Sequence, residues 1–256
     1  MNPLRREEEP VRCPGGRGPG PVVGTVDAMT NSLQLRIAAV GLVVGALCFT
    51  LGDTLRRVVD SSTSGTAVDL AASVHDRPGT WLAAGLLSAV APLFLLPGVH
   101  ALVATTRGRG SRVVGVGGAL TSLGLVASVG HAVAFYSPPA LYGRAGTSPA
   151  AIKALDKASE AYPLLVVLIV AFIAGMTLGV LVLLVGLRRA GRIPVWSVVA
   201  GLVFAVAGSS GGVAMGLLGV VAALAAFVPA ARSLVSPTPV RQSDPGNDRA
   251  EQVAHA

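Results

Sequence analysis

The residues of this chain whose types and setting could do chemistry are two histidines, one aspartate and one glycine–serine cluster. His100 and His131 each fall inside a long apolar run, and Asp53 falls at the end of another. An ionisable group in an apolar run is a candidate site, because hydrocarbon penalises charge. A proton relay needs its members within hydrogen-bond reach. His100 and His131 lie on consecutive runs that cross in opposite directions, near opposite ends. At the rise of an α-helix they differ in depth by roughly 20 Å, so they are not a pair. Asp53 and His131 share the outer end. A protonatable outer-face contact between them is geometrically open, the plainer alternative being that each sits separately at the wet interface.

The run Gly208-Ser209-Ser210-Gly211-Gly212 matches Gly-x-Ser-x-Gly with Ser210 in the nucleophile position. That motif works as a strand-to-helix turn that presents its serine to a histidine base. Here apolar helix-like runs flank it and no histidine is near in sequence. It reads first as a turn, and second as a break in a helix of the kind transporters use. Cys13 lies in a polar tail and Cys48 in an apolar run, at different depths, so no disulfide is expected. Neither belongs to a CxxC pair or a Cys/His cluster. There is no Walker loop and no His-Glu-x-x-His. The sequence therefore assigns no catalytic, cofactor or metal residue and leaves Asp53 and His131 as outer-face polar candidates.

The elements that must position these residues follow from composition. Of 256 residues 52% are hydrophobic and only 13% charged, against about 25% charged in soluble domains. The mean hydropathy is +0.67. Such a chain cannot cover a water-facing surface. Its apolar residues come in blocks of about 20, the length that spans about 30 Å of hydrocarbon as helix. The net charge of +7 lacks the basic stripe and interleaved aromatics of a nucleic-acid binder. Its arginines cluster instead in short links between apolar blocks.

The fold class is thus an all-α polytopic transmembrane helix bundle. Spans are predicted at about 35–51, 81–104, 113–136, 164–187, 195–210 and 213–231. The last two are a hairpin turned at Gly208–Gly212; the alternative is one long kinked helix and five spans. Residues 1–31 read as a disordered tail with Met29 as a candidate initiator, 32–234 as the membrane domain, and 235–256 as a disordered cytoplasmic tail. Gly41/Gly45 and Gly175/Gly179 have the small-residue spacing of close helix contacts, within one chain or between copies. Trp81, Tyr136, Tyr162 and Trp196 fall at span ends, as an aromatic belt would.

Charge placement sets the direction. The link 105–112 holds Arg107, Arg109 and Arg112, and the link 188–194 holds Arg188, Arg189 and Arg192, with no acid in either. Both belong on the cytoplasmic side, which puts the N-terminus inside. Arg36 is then an inner anchor. The longer mixed links 53–80 and 137–163 face outward. Each contains a helix-like stretch, at 66–75 and 149–162. In the second, Lys153 with Asp156 and Lys157 with Glu160 are spaced for ion pairs.

With the spans in place, four phrases stand out: Asp76-Arg77-Pro78-Gly79-Thr80-Trp81, Arg107-Gly108-Arg109-Gly110-Ser111-Arg112, Gly130-His131-Ala132 and Arg189-Ala190-Gly191-Arg192-Ile193-Pro194. In these the chain resembles a broad group of uncharacterised multi-pass membrane proteins of high-GC Gram-positive bacteria, over about 37–234. The resemblance implies the architecture and a bacterial plasma membrane, and it carries over no activity and no site residue. The expected function is that of a non-enzymatic multi-pass membrane protein. Its partners would be the lipid bilayer and a second copy or another membrane protein, with no nucleic acid and no cofactor. The alternative is a small transporter or permease.

Overall fold

The computed structural model describes residues 23–61 and 65–236, with side chains from residue 32 onward. The tail 1–22 and most of the expected C-terminal tail, from 237, lie outside the described residues, as does Cys13. Every element among the described residues is helical. The long apolar helices are α1 (Val23–Val59), α3 (Pro78–Thr105), α4 (Ser111–Ala145) and α9 (Val213–Val235). A further apolar rod, Pro163–Arg189, is built from α6 (Pro163–Ala174), a π-turn (Gly175–Gly179) and α7 (Val180–Arg189). These five are long and apolar enough to cross a membrane, and α8 (Val195–Ser209) is a sixth apolar helix of 15 residues. Their outward faces carry exposed Leu, Val and Ile, for example Leu93 at 67% and Val221 at 64% exposure. Water would not tolerate such a surface, whereas lipid does.

The helices form a ring in which α1 lies between α3 and α9, α3 meets α4, α4 meets the rod, and α8 pairs with α9. Glycines let the backbones approach. A side-chain carbon on Gly41, Gly45 or Gly52 would lie 2.8, 2.9 or 3.0 Å from the carbonyl oxygens of Phe94, Ala91 and Ala84 on α3. Gly175 and Gly179 face Gly124 and Thr121 of α4 in the same way. Both small-residue pairs are thus used for packing within the chain.

The two ends of the ring differ. At the arginine-rich end, Arg192 donates from Nη1 to Thr105 Oγ1 (2.8 Å) and Thr106 Oγ1 (2.7 Å), and from Nη2 to the Ser233 carbonyl (2.6 Å). This ties the ends of α3 and α9 to the α7–α8 link. The opposite end carries two short helices, α2 (Ala67–Asp76) and α5 (Pro149–Glu160). Thr66 and Asp69 form a reciprocal capping box that starts α2, and Ser148 caps α5. Both were legible as helix-like stretches. Ala71 and Val74 of α2 and Ile152 of α5 are buried, and α2 packs on the extension of α4.

The structure corrects several expectations. α1 begins at Val23, so it takes in Met29 and part of the stretch expected as a tail. It continues past residue 51 to Val59, because Asp53, Arg56 and Arg57 pair on one helix face and can be buried together. α4 runs past Tyr136 to Ala145, through Pro138 and Pro139. Lys153–Asp156 and Lys157–Glu160 do not pair; the ion pairs among the described residues are the two made by Asp53. Trp81 is not in an aromatic belt. It is 2% exposed, packs on Tyr136 with ring centres 4.9 Å apart and planes tilted by 55°, and donates its indole N–H to the Tyr136 carbonyl at 2.8 Å. Trp196 and Tyr162 are exposed, as a belt requires.

Candidate functional site

The half of the ring near the arginine-rich end is a dry aliphatic core. Leu42, Leu102, Val114, Leu183, Leu184 and Ala226 there are fully or almost fully buried. The other half is not filled. The rod meets α8 chiefly through α7, and α6 contributes no buried residue. A cavity of about 360 Å³ lies between α1, α3, α4, α6, the π-turn, α8 and α9. That volume falls in the range of small-molecule sites.

Phe49, Phe135, Phe172 and Phe204 wall the cavity. Phe49 links the two sides, with ring centres 6.2 Å from Phe172 and 6.3 Å from Phe204. The π-turn contributes Met176 and Thr177. π-turns recur at functional sites, because the extra residue redirects side chains. Here Gly175 and Gly179, packed on α4, leave room for that wider turn.

Asp53 and His131 both line this cavity. They are not hydrogen-bonded to each other. Asp53 is committed to two arginines: its Oδ1 accepts from Arg56 Nε (3.1 Å) and Nη2 (3.0 Å), and its Oδ2 accepts from Arg57 Nε (2.8 Å). His131 stacks on Phe172, with ring centres 4.6 Å apart and planes 16° from parallel, and lies 5.7 Å from Phe135. Asp53 and His131, the two outer-face candidates, thus line one cavity, each with partners other than the other. His100 is elsewhere, beside Ser122 at 3.4 Å.

Arg57 is the residue that sequence reasoning missed. Its side chain is 1% exposed. Its guanidinium caps the C-terminus of α8, where the last carbonyls have no helical partner. Nη2 donates to Ala207 O (2.9 Å) and Gly208 O (3.2 Å), and Nη1 to Ser210 O and Gly212 O. Gly212 turns the chain with φ +85°, where other residues are strained. The Gly-Ser cluster is therefore a helix break held by an arginine. The Ser209 and Ser210 hydroxyls bond back to carbonyls of α8, and Ser210 does not line the cavity. The missed signal was the spacing of Asp53, Arg56 and Arg57 at i, i+3 and i+4, which continues a helix rather than a loop.

Most hydroxyls around the cavity are consumed by their own helices. Thr50 donates to Ala46 O, Ser128 to Leu125 O and Thr177 to Ile173 O. Ser88 and the Tyr136 hydroxyl lie 3.3 Å apart and share one hydrogen bond, which leaves one hydroxyl hydrogen over. The wall is consequently more apolar than its residue types suggest. Arg56 and His131 also keep unused capacity among the described residues. No three His, Cys, Asp or Glu side chains gather among the described residues.

A comparison with protein-family models finds no match, and comparisons with curated proteins and with solved structures find none either.

Proposed function

We propose that this chain is a non-enzymatic multi-pass membrane protein that binds a small, mainly apolar molecule in the outer half of its helix ring. The observation that carries this reading is the aromatic-walled cavity of about 360 Å³, with the aliphatic core beside it. A cavity with apolar walls and few polar groups is the usual form of a small-molecule site. The non-enzymatic reading is supported by the hydroxyls, which are tied to their own helices, and by His131, which stacks on rings rather than facing an acid or a nucleophile.

The topology is proposed as six crossings in a bacterial plasma membrane, with the arginine-rich end cytoplasmic. Support comes from Arg57 and Arg192. One holds the α8–α9 turn at the level of the far end of α1, and the other holds the α7–α8 link at the level of Ser233 on α9. Both α8 and α9 therefore run between the same two levels. Reporter fusions at residue 210 and after residue 236 test this. The expected result is an external 210 and a cytoplasmic C-terminal fusion; a cytoplasmic 210 overturns it.

Purification of the full chain in mild detergent, followed by mass spectrometry of what accompanies it, tests the binding role. A stoichiometric small molecule that is lost from Ala132→Trp, which fills the cavity, is the expected result. A chain that carries nothing, and whose stability answers to no apolar solute, refutes it. The permease reading draws on the π-turn and the Gly212 break, two irregular backbones that border the cavity and could move against a fixed core. Uptake into proteoliposomes distinguishes transport from binding alone.

A further inference from the structure

We propose that the occupant of the outer cavity is a single-chain amphipathic anion, with a carboxylate or phosphate head received by Arg56 and a hydrocarbon body held among the phenylalanines. The inference rests on the ligand-binding reading above and names the chemistry of its ligand.

Two guanidinium groups share one carboxylate: Arg56 and Arg57 both pair with Asp53. The three side chains keep one positive charge in excess, at the border of an apolar cavity. Low-dielectric surroundings make such a charge costly unless an anion meets it. The excess is not available on Arg57, whose donors go to Asp53 and to four carbonyls of the α8–α9 break. It is available on Arg56. That side chain is 25% exposed, and its Nε and Nη2 bond Asp53. Its Nη1 makes no hydrogen bond among the described residues, and its guanidinium carbon stands 5.9 Å over the Phe135 ring, on a wall of the same cavity.

Below Arg56 the surface is hydrocarbon. Phe49, Phe172, Phe204, Met176 and Ala132 line it, and Thr50, Ser128 and Thr177 offer no free hydroxyl hydrogen. One open cationic edge above an apolar chamber matches a molecule with one anionic end. A cation would meet net repulsion. A neutral alcohol accepts a hydrogen bond from the guanidinium edge but leaves its excess charge uncompensated.

The test uses the full chain in zwitterionic nanodiscs, with empty nanodiscs subtracted. The emission of Trp81 is read in a Trp196→Phe background, because Trp81 stacks on Phe135. The probes are decanoate, decyl phosphate, decanol and decyltrimethylammonium. At least one anion should bind about tenfold or more tighter than decanol, as one charge-assisted pair would give. Arg56→Gln should bring that anion to the level of decanol, and Arg56→Lys should retain part of the preference, with melting temperatures confirming that both fold. The preference of decanoate over decyl phosphate, or the reverse, identifies the head. Decanol equal to both anions, or the ammonium probe tightest, overturns the anion assignment while leaving the cavity a binding site. Binding by none of the four overturns both.

Discussion

Arg57 on α1 donates to the carbonyl oxygen of Ala207 at 2.9 Å, across 150 residues of chain. The contact joins the first long helix to the end of α8, where the last turn would otherwise present bare carbonyls to lipid. Replacing Arg57 by Leu removes the cap and leaves Asp53 short of a partner. Loss of about 3 kcal/mol or more is expected, the scale for breaking a buried pair, read as a lower melting temperature in detergent. Asp53→Asn in the Arg57→Leu background should cost much less than Asp53→Asn alone, because the two share one network. Additive losses would show that the pair is not coupled.

Gly124 and Gly175 bring α4 and the π-turn into backbone contact. A methyl group on Gly124 would lie 2.7 Å from the backbone of Gly175. Gly124→Ala is therefore expected to destabilise by about 1–3 kcal/mol, as overpacking does. Gly115 lies on the same helix with nothing within 4 Å of that position, so Gly115→Ala should keep or raise the melting temperature, as helix propensity favours alanine. Equal effects would refute the packing argument.

The two tryptophans should report opposite environments. With Trp196→Phe, the remaining Trp81 is buried and hydrogen-bonded to Tyr136. Its emission should be insensitive to acrylamide. With Trp81→Phe, the remaining Trp196 is 52% exposed and should respond to quenchers placed in lipid headgroups. A quenchable Trp81 would contradict the burial of its ring.

At the cap end, the hydrogen bonds from the Thr66 hydroxyl and backbone N–H hold the Asp69 carboxyl below the ordinary 3.8. A depressed value means that the cap is fully present above about pH 3.8 and is lost as pH falls through the lower folded value. The protection factors of the first turn of α2, corrected for the intrinsic pH dependence of amide exchange, should fall only below that point. Asp69→Asn should abolish this fall. A loss of protection between pH 5 and 7 would point to a different group.

The membrane architecture was legible because aliphatic blocks need no partner to declare themselves. Gly208–Gly212 marked the hairpin turn because a glycine-rich cluster stops a helix in any solvent. Thr66 and Ser148 announced their short helices by local capping. The site was only half legible. Asp53 and His131 could be placed at one end by counting residues along two helices. Arg57 looked like a loop charge because its acceptors are backbone carbonyls about 150 positions away, which no side-chain pattern encodes. Trp81 was misplaced for a related reason. Its partner is the carbonyl of Tyr136, and a tryptophan at a span end looks the same from sequence whether it faces lipid or another helix. The cavity is lined from several helices far apart in sequence, an arrangement that long-range packing decides and no local run encodes.

The adjacency of α1 and α9 bears on how the molecule is made. Gly216 sits against Thr54 and the stem of Arg57, so the docking face of α1 waits for a helix translated more than a hundred residues later. Until then a guanidinium and a carboxylate are in the bilayer with few acceptors. Biogenesis therefore has a vulnerable interval in which the nascent protein is recognisable as unfinished. A chain interrupted before the end of α8 would lack the carbonyls that Arg57 caps and keep that exposed charge, the kind of lesion a membrane protease can detect.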